Sequence, residues 1–476
     1  MTLTWNEVTR NRPCPICGKI DWCSLSDDGA WAICRRLDTG TGKHKLDKAG
    51  MDYWLYRLAD MPGDMPGNIP EPEYRAAEPE GRPLEPETLD QVYRALLDML
   101  SLSAKHRKDL VRRGLSEAQI EHRGYRSLPG PGRSKLAKRL VKRFGEDVCA
   151  SVPGLYLKKE TGKDPYWSLA GAPGILIPVR DHAGRIVALK VRMDEPGDGP
   201  KYLYVSSKKH GGRGPGCQIH VPLYSGSSDI VRLTEGELKG DIATALSGVL
   251  TISIPGVSAW RPALPLLKSM RAKTVRVAFD ADSRTNPNVA RALSYTVKAL
   301  KEEGFEVELE QWSEVKGKGI DDLLAAGGAP EVLSGDKAFK AVEEIVKSAQ
   351  RAADEVLQAR NEEARIRANR VIEKLREKKN PVVFFTDMEA LQAVGMLPAA
   401  EQSIFWARAK EACPRLNLVD ARRAVKEACG QVKRKSTGTL PSQGLIQRNG
   451  TYCVEKMTPE GPVIVPISNF VLEPRL

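Results

Sequence analysis

Ile230-Val231-Arg232-Leu233-Thr234 runs straight into Glu235-Gly236-Glu237, and the fold of the chain is read outward from that junction. A second apolar run, Leu250 to Ile254, stops at Pro255-Gly256. A third, Thr274 to Phe279, delivers Asp280-Ala281-Asp282, and a fourth, Phe305 to Trp312, precedes Gly319-Ile320-Asp321-Asp322. Helical patterns fill the gaps, notably Lys239 to Leu246 and Asn288 to Glu303. Strands alternating with helices predict an α/β fold, a parallel sheet covered on both faces. In such sheets the groups at the carboxyl ends of strands converge on one crevice. Glu235, Asp280, Asp282 and Asp321 are therefore expected to meet in space. Carboxylates held that close raise one another's pKa unless a cation lies between them. Hard dications such as Mg²⁺ take oxygen ligands and bridge carboxylates to phosphates.

Around this stretch the chain is long enough, at 476 residues, for two or three domains. Hydrophobic content of 41% and charged content of 28% are ordinary for a soluble protein. The net charge of +12 suits a polyanionic partner. No apolar run approaches the roughly 20 residues that span a bilayer, and the first residues, Met1-Thr2-Leu3-Thr4-Trp5-Asn6, carry no apolar signal core. A membrane protein is excluded on these grounds, and a cytoplasmic location is expected. No GxxxxGK[ST] motif occurs, which excludes a P-loop motor.

Nine cysteines are present, four of them in the first forty residues, which reads as metal ligation in a reducing cytosol rather than disulfide bonding. Cys14-Pro15-Ile16-Cys17 opens a CxxC knuckle, and Cys23 and Cys34 complete a set for one tetrahedral structural Zn²⁺. Strand-like Ala30-Trp31-Ala32-Ile33 fits a zinc ribbon, and His44 lies close enough to compete with Cys34 for the fourth place. Arg35, Arg36, Lys43 and Lys45 surround the knuckle and can meet phosphates, while an exposed Trp contacts bases. From Asp60 to Glu87 a Pro-, Gly- and Glu-rich stretch without a periodic apolar face reads as a linker.

Short packed helices are expected from Thr88 to Ile120, with Ser116 as an N-cap. Lys105, Arg107, Lys108, Arg112, Arg113, Arg123, Arg126, Lys135, Lys138, Arg139, Lys142 and Arg143, with Tyr125 among them, read as a face that binds nucleic acid. Residues 153 to 225 are β-rich, with strands predicted at Ile175–Val179, Ile186–Val191 and Tyr202–Val205. The loop from Ser206 to Gly216 combines Lys208, Lys209, His210 and Arg213 with glycines that let backbone N–H groups approach phosphate. From Lys337 to Lys379 the pattern is one long charged helix or two, ended by Pro381. Amphipathic helices follow over 382 to 434, and 450 to 476 return to short strands. The expected division is a cysteine module over 1–58, a linker over 59–90, a basic α+β half over 91–225, the parallel domain over 226–332, a helical arm and region over 333–436 and a β-rich tail over 437–476.

The order Glu-Gly…Asp-x-Asp…Asp resembles the Toprim domain shared by DnaG-type primases, phage primase-helicases, topoisomerases and some nucleases. Upstream, Gly174-Ile175-Leu176-Ile177-Pro178-Val179-Arg180-Asp181, Gly184-Arg185-Ile186 and Pro200-Lys201-Tyr202-Leu203 resemble the segment that precedes Toprim in DnaG-type primases and is missing from topoisomerases and nucleases. The resemblance spans roughly residues 100 to 330 and the N-terminal zinc site. It implies a DNA-directed RNA primase of phage or mobile-element type, making short RNA primers on a single-stranded DNA template from nucleoside triphosphates. In that reading Asp280, Asp282 and Asp321 hold Mg²⁺, with Mn²⁺ as a substitute, and Glu235 is a metal ligand or general base. Arg192, Lys201 and Lys239 are the candidate cations for nucleotide or template. Lys239 stands where the family's helix often carries an Asp, with Asp241 two positions later, so the acid completing the first metal shell is left open. A helicase often follows in similar mobile-element proteins, so a separate replicative helicase is the expected partner. A Toprim nuclease and a non-catalytic replication-initiation protein are the alternative readings.

Overall fold

In the computed structural model, residues 5–9, 12–17, 19, 22–27, 29–36, 42–47, 52–58, 83–162, 164–197 and 199–435 are described, followed by the backbone of three strands between 446 and 466. The protein is a mixed α/β chain in two compact units, the larger containing Trp22–Arg360 and the smaller everything from Asn361 onward. The N-terminal strands are β1 (Trp5–Glu7), β2 (Ser24–Ser26), β3 (Trp31–Cys34), β4 (Lys43–Leu46) and β5 (Asp52–Arg57). They form an antiparallel sheet in the order β1-β2-β3-β5-β4. Its small core is aromatic: Trp31, Tyr53, Ile33 and Leu55 are buried together.

The predicted linker lies outside the described residues as far as 82, and helix α1 (Pro86–Asp98) begins two residues before Thr88. Pro86 sits in its first turn, where the missing N–H costs nothing. Helices α2 (Ala104–Arg112) and α3 (Glu117–Arg123) follow, and Ser116 closes a capping box with Gln119 at the start of α3 as its sequence predicts. Then come β6 (Arg126–Leu128), α4 (Arg133–Phe144), α5 (Glu146–Ser151), the hairpin β7 (Leu155–Lys158) and β8 (Tyr166–Leu169), and the strands β9 (Gly174–Arg180), β10 (Ile186–Met193) and β11 (Tyr202–Tyr204). An antiparallel sheet of order β11-β10-β9-β6 results. Every residue of β9 is buried, because α1 and α4 cover one face while the other packs against the next domain.

That next domain is the predicted parallel sheet. Its elements are β12 (Ile230–Glu235), α6 (Glu237–Ser247), β13 (Leu250–Ile254), α7 (Ala263–Ser269), β14 (Thr274–Val277), α8 (Pro287–Glu302), β15 (Glu306–Gln311), α9 (Ile320–Ala325) and β16 (Glu331–Ser334). The order is β13-β12-β14-β15-β16, with parallel pairing throughout except β15 to β16. The antiparallel edge strand β16 was not read from the sequence; at four residues, three of them exposed, it has no core-facing alternation to reveal it. Val231, Leu233, Ile252, Ile254, Val275, Val277, Val307 and Leu309 form the floor of a single core with α8. Such β-branched and leucine runs are expected of strands covered on both sides.

Two glycines set the geometry of the decisive junction. Gly236 has φ +87°, which lets the chain turn from β12 into α6 without strain. A Cβ on Gly240 would lie 2.0 Å from Ser253 Oγ and 2.7 Å from the Thr251 carbonyl, so α6 can lie against β13 only with a glycine there.

Helix α10 (Gly335–Lys378) is one continuous helix of 44 residues. Its first turns bury Ala338, Val342, Ile345 and Ala349 in the core of the parallel domain. In the smaller unit its last turns join α11 (Val382–Thr386), α12 (Met388–Met396), α13 (Ala399–Ala412) and α14 (Leu418–Lys435) around Phe384, Phe405 and Trp406. The strands β17 (Ile446–Arg448), β18 (Thr451–Thr458) and β19 (Gly461–Pro466) form an antiparallel sheet in that order. Among the described residues no helix is long and apolar enough to cross a membrane.

Candidate functional site

The four acids sit where the strand pattern puts them. Glu235 ends β12, and Asp280 caps a 3-10 turn over Ala281–Arg284 that contains Asp282. Asp321 lies in the first turn of α9, which Ile320 and Leu323 anchor against Ala243 of α6 and Ala278. Each acid has a basic neighbour from the chain itself. Lys239 Nζ donates to Asp280 Oδ1 and lies 3.8 Å from Glu235 Oε1. Lys318 Nζ is 2.9 Å from Asp282 Oδ2, and Arg113 Nη1 is 3.8 Å from Asp321 Oδ2. Lys318 was not singled out in the sequence; its signal is its place three residues before Asp321 in Lys316-Gly317-Lys318-Gly319.

The electrostatics reflect this crowding. Burial pushes the Glu235 carboxyl up to about 7, against the pull of the Lys239 ammonium and with the push of Asp280 and Asp282. Burial also raises Asp321, with Asp322 adding to the effect. Burial opposes charge on Lys239, yet Asp280 and Glu235 outweigh it and hold the ammonium above its ordinary value. Two carboxylate oxygens, Asp282 Oδ1 and Asp321 Oδ1, are buried without a hydrogen-bond partner. Hard oxygens left orphaned in this way fit a divalent cation. Glu235 and Asp280 are instead joined by an ammonium. Among the described residues no three carboxylates gather as tightly as the N-terminal cysteines do.

The antiparallel half contributes the next layer. Arg192 Nη1 bonds Asp109 Oδ2 at 2.7 Å, and Arg113 Nε is 3.3 Å from the same oxygen, so Arg192, Asp109, Arg113 and Asp321 form one chain of charges. Burial and then the neighbouring Arg192 and Arg113 lower the pKa of Lys201. Arg192, Lys201 and Lys239 thus share the neighbourhood of the acids. Glu237 faces elsewhere: Lys190 Nζ is 2.6 and 2.9 Å from its two oxygens, and the Tyr204 hydroxyl donates to it at 3.0 Å.

One sequence expectation is corrected and one open point is answered. Tyr125 and Arg123 are buried and do not belong to an exposed nucleic-acid face; the Tyr125 hydroxyl donates to Asp241 Oδ2. Asp241 itself is 2% exposed and receives Arg123 Nε at 3.3 Å, with His220 Nε2 at 3.4 Å. Burial disfavours its charge, but His220 and Arg123 hold the carboxyl below its usual range. Asp241 therefore joins the two halves and is not among the acids grouped around Lys239. Two residues beyond Lys239 on α6, it projects from the opposite face of the helix.

In the N-terminal module the Sγ atoms of Cys14, Cys17, Cys23 and Cys34 all lie within 4.8 Å of one another, a cluster that can hold a metal ion. His44 Nε2 is 2.7 Å from Asp52 Oδ1, and the cluster does not include it. Trp22 is the exposed aromatic of this module, at 42%, with the Arg36 guanidinium 5.4 Å from its ring centre.

A parallel α/β domain with acids at its strand ends, an antiparallel basic half before it and an N-terminal cysteine cluster is the class that fold and site define. Comparison with known proteins adds the following. A family model described as a domain of unknown function, DUF3854, matches residues 227–331, the span of the parallel domain. No curated protein matches. Solved structures that the chain resembles include DnaG-type primase cores. The zinc-binding and RNA polymerase domains of the Aquifex aeolicus primase are 14% identical, covering 69% of this chain and 73% of that one, with a TM-score of 0.38. The RNA polymerase domain of Mycobacterium tuberculosis primase DnaG, in complex with double-stranded DNA, is 14% identical over 68% of this chain and 98% of that one, with a TM-score of 0.39. A DNA primase domain from Pseudomonas aeruginosa is 17% identical over 72% and 99% of the two chains, with a TM-score of 0.36.

Proposed function

We propose that this protein is a DNA-directed RNA primase that makes short primers on single-stranded DNA by metal-dependent nucleotidyl transfer. The observation that carries the reading is the meeting of strand-end carboxylates, two with orphaned oxygens, with cations supplied by both halves of the larger unit. Asp282 and Asp321 would hold Mg²⁺, with Glu235 and Asp280 bordering it. The ion, when bound, neutralises charge on the phosphates and the attacking oxygen. Arg113, Arg192 and Lys201 would meet triphosphate or template phosphates from the antiparallel side. The cysteine cluster would hold a structural Zn²⁺, and Trp22 with Arg36 would contact template bases and phosphates. The boundaries 1–58, 91–225 and 226–332 would then separate template recognition, template grip and catalysis. The smaller unit would dock a separate helicase.

The test uses purified full-length chain, single-stranded DNA, Mg²⁺ and labelled ribonucleotides. Template-dependent products a few nucleotides long are expected. Shortened template without product would favour the Toprim nuclease reading. Template binding with neither reaction would favour a replication-initiation protein.

A further inference from the structure

Lys239 is held by the very groups that would otherwise coordinate metal. It sits in the first turn of α6, four residues after Glu235 at the end of β12, where buried Leu238 and Ile242 fix the helix against the antiparallel half. Its ammonium bonds Asp280 Oδ1 and stands 3.8 Å from Glu235 Oε1, between the carboxylates from two neighbouring strands. Its stem fills the space toward α9. A Cβ on Gly319 would lie 2.4 Å from Asp321 Oδ1 and 3.2 Å from Lys239 Cε, so glycine there leaves room for both side chains. Asp321, 4% exposed, brings its orphaned Oδ1 to the edge of the same space.

The charge count points the same way. Glu235, Asp280, Asp282 and Asp321, with Asp322 beside them, face Lys239, Lys318 and Arg113, so the chain's own cations already offset most of the negative charge. One dication balances the remaining negative charge, whereas two would crowd strong positive charge beside the half-buried Lys239 ammonium. The open oxygens lie on Asp282 and Asp321, and the bond from Ala281 N–H to the Lys318 carbonyl, at 3.0 Å, ties the turn that carries Asp282 to the segment leading into Asp321.

We infer that Lys239 replaces one metal ion in this site, bridging Glu235 and Asp280 as a built-in cation, so that the acids bind a single divalent ion at Asp282 and Asp321. This rests on the metal-dependent reading proposed above. It makes Lys239 a fixed electrostatic element whose charge does not depend on the metal supply. A lysine ammonium is a compact point charge well suited to that place.

The test counts ions and does not require turnover. Full-length chain with its cysteine cluster loaded with zinc is titrated with Mn²⁺, and free and bound ion are separated by electron paramagnetic resonance. The wild type is expected to bind one Mn²⁺ at the acids, and Asp321→Asn to lose it. Lys239→Gln is expected to bind two, with spin coupling between them, while Lys239→Arg keeps one. Circular dichroism checks that each variant is folded; should Lys239→Gln fail to fold, Lys239→Met, neutral and of similar length, is counted in its place. Two ions in the wild type, or one ion in both neutral variants, would overturn the inference while leaving a metal-dependent site in place. No Mn²⁺ on the wild type or on either neutral variant would overturn it together with the reading it rests on.

Discussion

Replacing Asp241 by Asn separates the two roles that its position in the sequence allows. The substitution keeps an oxygen for the Tyr125 hydroxyl and removes the negative charge facing Arg123 and His220. Asp241 is 2% exposed, Arg123 5% and His220 not at all, so the cation left behind has no water to turn to. Breaking one side of a buried ion pair costs about 3–5 kcal/mol. Because the Tyr125 bond has an acceptor in Asn as well, the lower end, about 3 kcal/mol, is the expected loss. The readout is hydrogen exchange of the α6 amides that end the helix at Ser247, which should speed up by more than about a hundredfold. The sign with pH is fixed by the depressed carboxyl. Its contribution is present above the ordinary Asp range and is lost as pH falls through the lower folded value, so mutant and wild type converge in acid. Binding of Mn²⁺ should be unchanged. Unaltered exchange with lost Mn²⁺ binding would refute the assignment and return Asp241 to the metal shell.

Asp280→Ala and Asp282→Ala should each abolish ribonucleotide incorporation with the fold retained by circular dichroism, a loss of about a thousandfold or more for a missing carboxylate at such a centre. Residual synthesis within tenfold of wild type would remove that residue from the reaction. Elemental analysis should find one Zn²⁺ per chain in the wild type and in His44→Ala and none in Cys34→Ala; the reverse would disprove the cysteine set. Without divalent ions, Glu235→Gln should raise the melting temperature at pH 8 and not at pH 4. The folded carboxyl is pushed up from 4.5 to about 7, so stability falls as pH rises from the ordinary Glu range to about 7, by up to about 3 kcal/mol, and stays lower by that amount above it. Finally, a chain ending at Arg360 should keep Mn²⁺ binding, whereas one ending near Gly328 should lose it. The longer cut retains β16 and the α10 residues Ala338, Val342, Ile345 and Ala349 that close the core of the parallel domain.

The parallel domain was legible because its signals are local. An apolar run of five or six residues that ends in an acid, then a glycine, then a helical pattern, reports strand, turn and strand-end carboxylate without reference to the rest of the chain. Glu235, Asp280, Asp282 and Asp321 were found in this way, as was the cluster of Cys14, Cys17, Cys23 and Cys34. The partner of each group was decided elsewhere. Tyr125 and Asp241 are 116 residues apart, and no periodicity links them. Arg113 and Arg123 look alike in a basic helical stretch, yet one turns to Asp321 and the other to Asp241, because α2 and α3 present different faces to α6 and α9. His44 is as near the cysteines in sequence as a ligand could be, but β4 pairs with β5 and delivers it to Asp52. Residue type and spacing therefore determined which acids stand at the strand ends and which thiols cluster. Which charges meet depends on sheet order and helix facing, and those are set by burying apolar surface over the whole domain.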